Sequence, residues 1–276
     1  SWQVYSFYVG MLSFFAFFFA PFGLRWFGWQ KFGISFFAGF LFLLAIATLY
    51  RSLKKEEASR VFVVFGATSI IATFLIEKSL SKESFAPDEF WGIVLLVSGS
   101  FLISFELSKR FFFSKFKETI LGGILLSFAL IFLQYSYQEQ NFVTGYVFSR
   151  MGIVFTTAIF FLSPSFRKEI AKKFFQKKSN NRNKTRKKNL KYFLAVAFSK
   201  FLAGGGTLLI HLAINFSSRV SVINALTSLQ YATTFVLVTF LATKYPKIFQ
   251  EKLSKKEVAI KTMGVGLVSL GIALVN

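Results

Sequence analysis

Two cations and one imidazole fall inside apolar stretches of this chain: Arg150, Lys200 and His211. A charge at membrane depth costs about 2.5 kcal/mol on the lowest scale, so such groups face a cavity or a partner. Lys200 lies about nine residues into its stretch, roughly 13 Å deep at a helical rise of about 1.5 Å per residue. It is placed to contact an anion or carboxylate in a cavity; the plainer alternative is a lysine that snorkels or pairs structurally. His211, the single histidine, follows eleven residues later, which is three helical turns, so the two share a face. It is suited to moving a proton near neutral pH, or, near a span end, to interfacial hydrogen bonding. Arg150 follows Ser149 about eight residues into another apolar stretch. It reads either as a cavity cation or as a packed partner of Glu139 or Glu118. Asn224, Ser228 and Tyr231 are spaced four and three apart, with Gln230 beside them, and make one polar stripe. Such a stripe avoids lipid, and either a binding site or interhelical hydrogen bonds would use it. Gly204-Gly205-Gly206 weakens its helix: it would expose carbonyls to a ligand or, more simply, let another helix pack closely.

Other chemistries lack their residues. No Asp or Glu lies deep in an expected span, which disfavours proton coupling through a carboxylate. There is no Cys, hence no disulfide or thiolate metal site. No nucleophile triad, metal-ligand spacing or phosphate-binding loop occurs, and the glycine triplet lacks the Lys-Ser/Thr of a P-loop. The expectation is a non-enzyme with no cofactor and no metal.

Positioning these side chains requires membrane spans. Of 276 residues, 54% are hydrophobic and 41 are Phe, while only 16% are charged and those cluster between apolar runs. A bilayer core of about 30 Å needs about 20 apolar residues per helix. The expected fold class is therefore all-α and polytopic. Expected spans are Val4–Ala20 (ended by Pro21), Phe32–Tyr50, Val61–Ile76 (with room for a few more residues at either end), Phe90–Phe105, Thr119–Leu133, Phe142–Leu162, Tyr192–Asn215, Arg219–Leu241 and Val258–Val275. Trp26 and Trp29 suit a membrane–water interface. The phenylalanines from Phe14 to Phe19 would face lipid or pack; an aromatic substrate wall is the functional alternative. Ser163–Lys191 reads as the longest loop, with a flexible centre.

The net charge of +21 sits in the loops. Alternate loops carry 26 Lys and Arg on one side and 5 on the other. The positive-inside rule then puts the basic loop at 163–191 in the cytoplasm and the C-terminus outside. This accounts for the charge without a nucleic-acid partner. The segment 167–188 is a candidate for anionic lipid, though a topology signal is the simpler reading.

The chain also repeats itself. Glu57-Ala58-Ser59-Arg60-Val61, an apolar segment, Leu80-Ser81-Lys82 and Gly92 with Gly99 correspond to Ser217-Ser218-Arg219-Val220, an apolar segment, Leu253-Ser254-Lys255 and Gly264 with Gly271. Both glycine pairs keep a seven-residue spacing. Halves related in this way mark transporters built from repeats. The segments resemble the EamA-like family of the drug/metabolite transporter superfamily. Phe74-Leu75-Ile76-Glu77-Lys78-Ser79-Leu80-Ser81 fits its pattern with Glu77 at the acidic position; Leu241-Ala242-Thr243-Lys244 departs from it and has no Glu. The resemblance implies two inverted five-helix repeats around a central cavity, with alternating access. It also implies movement of small polar or amphipathic metabolites, and both termini in the cytoplasm, opposite to the charge count for the C-terminus. Here the halves would be 1–106 and 118–276, with four and five helices, so one helix of ten is expected upstream of Val4. The expected function is a secondary transporter in the cell membrane, a monomer or homodimer acting on a small molecule. A lipid-modifying membrane enzyme and a structural membrane protein are the alternatives.

Overall fold

The computed structural model describes residues 2–56, 58–80, 86–104, 117–175, 202–217, 219–227, 230, 233, 237 and 255–275. They are helical, with no strand among them. The helices are α1 (Trp2–Ser13), α2 (Trp29–Ser52), α3 (Ala58–Leu80), α4 (Pro87–Ser104), α5 (Lys117–Glu139), α6 (Phe142–Leu162) and α7 (Pro164–Phe175). After these come α8 (Leu202–Phe216), α9 (Val220–Leu226) and α10 (Lys255–Val275). Among the described residues four segments are long and apolar enough to cross a membrane: Trp2–Phe22, Trp29–Ser52, Lys117–Glu139 and Phe142–Leu162. They support a multi-pass membrane protein.

Helix α2 is the hub, packed on α5 and α6. Ion pairs tie both ends of the α2–α5 contact, Lys31 to Glu139 at 3.1 Å and Lys55 to Glu118 at 2.7 Å, so these helices run antiparallel. Ser35, Ser136 and Gln140 link them further through a hydroxyl pair at 2.7 Å and bonds from the Gln140 amide. Helices α2 and α6 cross in parallel, backbone on backbone. A Cβ on Gly39 would strike the Ser149 carbonyl, and one on Gly152 would strike that of Phe36. Helix α6 is buried without a break from Thr144 to Arg150, as a helix enclosed by others must be.

The repeated glycines meet each other. Helices α4 and α10 pack antiparallel, and a Cβ on Gly99 would lie 2.7 Å from the Gly264 carbonyl oxygen. A Cβ on Gly271 would lie 2.8 Å from that of Gly92. The contact is reciprocal: exchanging the two seven-residue motifs maps it onto itself. Small residues permit this close approach where lipid supplies no hydrophobic drive.

Two elements differ from expectation, the first span and the start of the basic loop, and a third runs a few residues beyond its expected core. The first span is α-helical only to Ser13, then 3-10 from Phe14 to Phe22, closed by Gly23 at φ +133°. Three residues per turn eclipse side chains at i and i+3, so Phe15 stacks on Phe18 with centroids 6.0 Å apart. Phe14, Phe15, Phe18 and Phe19 point outward. Ser163 does not open a loop: Pro164 occupies the first position of α7, where its missing N–H costs nothing. Phe166 anchors α7 against Trp2, Phe160 and Phe161 while Arg167, Lys168 and Lys172 stay exposed. Helix α3 runs past Ile76 to Leu80, which puts Glu77 inside a helix. Residues 176–191 and the stretch 238–241 of the eighth expected span lie outside the described residues.

Candidate functional site

Helices α2, α3, α5, α6, α8 and α9 surround a cavity of about 270 Å3. Its walls are mostly apolar, with Phe42, Phe62, Phe65, Leu130 and Ile153 among them. Its polar lining includes Ser69, Ser149, Arg150, Thr207, His211 and Asn224, with Thr227 and Gln230 further along. None of the described lining residues is acidic. Arg150 is the ninth residue of the 21 in α6, near the middle of a membrane-length helix.

Arg150 is 7% exposed. Its Nη2 donates to His211 Nε2 at 3.2 Å, and its guanidinium carbon lies 4.7 Å from the centre of the Tyr146 ring. Tyr146 precedes Arg150 by one helical turn, so the cation–π contact comes from spacing on one helix face. The remaining nitrogens are unpartnered among the described residues: Nε is buried without an acceptor, and Nη1 has none either. Glu139 and Glu118, its candidate partners, are held by Lys31 and Lys55 instead. Arg150 therefore stands as the cavity cation and not as half of a packed ion pair.

His211 is also 7% exposed and bridges two helices. Its Nδ1 lies 2.6 Å from the Tyr137 hydroxyl. A guanidinium can only donate, so Nε2 accepts and the proton of a neutral imidazole sits on Nδ1. The Tyr137 oxygen accepts that proton's hydrogen bond. The histidine is thus buried beside the cavity and not at a helix end, and it fixes one Arg150 nitrogen in place.

Asn224 is held by α3. Its Nδ2 donates to Ser69 Oγ at 3.0 Å and Thr73 Oγ1 at 2.9 Å. One turn further along α3, the Glu77 carboxylate accepts from the backbone N–H groups of Val220 and Ser221, both at 3.0 Å. These are the first two helical residues of α9, whose N–H groups have no intrahelical acceptor. Ser69, Thr73 and Glu77 repeat every four residues, so a single face of α3 docks α9 and presents Asn224 to the cavity. The Asn224 side-chain oxygen Oδ1 has no partner among the described residues. Helix α9 tightens at Thr227, where the next described turn is a Gln230 N–H bond to the Thr227 carbonyl at 3.1 Å.

Arg150, His211 and Asn224 therefore line one cavity, while Lys200, Ser228 and Tyr231 lie outside the described residues. Tyr137, Tyr146 and the α3 stripe were not singled out from sequence; the 69–73–77 spacing was the available signal. Among the described residues nothing lies within 4 Å of an added Cβ on Gly204, Gly205 or Gly206, and α8 continues through them unbroken. None of Phe14 to Phe19 is among the described residues that line this cavity.

No family model matches the chain, and no curated protein matches it. One solved structure, described only as "Crystal structure of protein", aligns over 100% of this chain and 87% of its own. The TM-score is 0.61 at 13% identity, a likeness of fold alone.

Proposed function

We propose that this chain is a secondary transporter that moves a small metabolite across a membrane by alternating access. In this reading it has two inverted repeats, as the EamA-like resemblance implies. The carrying observation is the cavity itself. It reaches the mid-section of α6 and is lined from the first half by α2 and α3 and from the second by α5, α6, α8 and α9. Transporter sites lie near the midplane at the interface between repeats. The reciprocal α4–α10 glycine contact supports the same reading, because a local two-fold relation is what paired repeats would produce. Intramembrane polar groups are costly and mark substrate paths, and here they converge on one void.

The test is flux in proteoliposomes. Purified protein should move a small organic solute down its gradient, with saturation and counterflow. A well-folded protein that moves no solute in a broad metabolite screen would remove the transport reading.

A further inference from the structure

We infer that the ligand of this cavity is an organic anion, with one carboxylate or similar planar anionic group on an apolar body, bound through Arg150. The inference rests on the transport reading only for its biological role; the binding chemistry stands on the cavity.

Arginine stays charged in proteins, so Arg150 cannot escape burial by losing its proton. A buried cation needs a counter-charge and satisfied donors. What Arg150 has is a neutral imidazole and the face of a tyrosine ring. Neither carries a negative charge. No carboxylate pairs with it among the described residues, and the described cavity lining is free of Asp and Glu. Nη1 is left to meet a carboxylate, and the buried Nε, which has no acceptor, completes the paired grip once the side chain shifts toward the ligand. The His211–Tyr137 chain fixes Nη2, which leaves the fork in one orientation with little rotamer freedom to lose on binding. The apolar walls fix the rest of the ligand. Phe42, Phe62 and Phe65 offer an aromatic side, Leu130 and Ile153 an aliphatic one. No described acidic group would receive an ammonium, so an organic cation is disfavoured by the same field that favours an anion.

The test is binding in lipid nanodiscs, with phenylacetate, phenylacetamide and phenethylamine as matched probes, extended to a series of aryl and alkyl carboxylates and their amides. Isothermal titration of wild-type protein should show carboxylates binding at least about tenfold tighter than their amides, since charge-assisted bonds are worth roughly twice neutral ones. The preference should fall to about twofold or less in Arg150→Gln, and be intermediate in Arg150→Lys, which keeps the charge but loses the fork. Arg150→Lys also guards against a glutamine variant that fails to fold. A wild-type protein for which no carboxylate in the series binds better than its amide, or which prefers the amine, overturns the inference. The two readings separate cleanly. Arg150-dependent carboxylate binding without flux would leave the site and remove the transporter, whereas flux of neutral or cationic solutes alone would do the reverse.

Discussion

The α3–α9 join and the Arg150–His211 pair are both built from buried polar side chains, yet only in the join does the charged group have a hydrogen-bond partner on each side. In the join, the Glu77 carboxylate meets two backbone N–H groups, and the Asn224 amide nitrogen meets two hydroxyls. At Arg150 a permanent charge has one hydrogen bond, one ring face and two unused nitrogens. Both regions border the same void. The closed set holds helices together, while the open one keeps bonding capacity for something that enters. Buried polarity by itself does not distinguish structure from function; a buried charge without a counter-charge in a cavity lining is the stronger sign.

Four substitutions would break or sharpen that contrast. The largest effect is expected at Glu77. Glu77→Ala leaves two buried N–H groups without acceptors and should lower stability by about 2–3 kcal/mol, read by thermal unfolding in detergent. A loss no greater than at an exposed site would show that the join is not the closed structural unit described. Arg150→Gln should act the opposite way. Carboxylate binding should weaken at least about tenfold, near 1.4 kcal/mol, while stability stays level or rises because an unpaired buried charge is gone. If Arg150→Gln instead unfolds the protein as Glu77→Ala does, the contrast collapses. Gly205→Ala should stabilise α8 by up to about 1 kcal/mol, because no described residue lies within 4 Å of an added Cβ there. Thermal unfolding would detect it, and a destabilised variant would mean that α8 packs there. Smallest is Thr73→Val, which removes one of two acceptors from Asn224 and should cost about 0.6 kcal/mol, the average for hydrogen bonds between membrane helices. A double-mutant cycle with Asn224→Ala should return a coupling of that size.

Much of the fold was legible because the bilayer imposes a length. Phe142–Leu162 has the same bounds in sequence and structure, and the expected Phe32–Tyr50 became Trp29–Ser52. Hydropathy failed where helices are not apolar. Helix α7 is basic and amphipathic, and only Ser163-Pro164 announced it. The 3-10 geometry of Phe14–Phe22 left no mark on an all-apolar run. For the site, cost identified the residues: Arg150, His211 and Asn224 are polar groups in apolar stretches and need a shared refuge. Their supports were harder to see. Tyr137 lies in the last turn of α5, past the end of the apolar run, and Ser69 and Thr73 are small hydroxyls that membrane helices commonly contain. The glycines misled in a physical way. A triplet draws the eye, yet close approach requires single glycines at a crossing, which is where Gly39 and Gly152 stand.

The central proposal is a mostly apolar cavity, with Arg150, His211 and Asn224 as its polar patch, set between two halves and opening in turn to each side of the membrane. The chain has no cysteine, so single cysteines can be introduced without altering the background. Ser149→Cys and Thr227→Cys lie in the cavity lining, and Leu209→Cys, at 66% exposure, serves as an outward control. The decisive measurement is labelling of these cysteines in sealed vesicles by a charged, membrane-impermeant methanethiosulfonate applied from one face and then from the other. The account predicts that both cavity cysteines react from either face and the control from neither. Cavity cysteines that react from one face only, or from none, in a folded protein would contradict it.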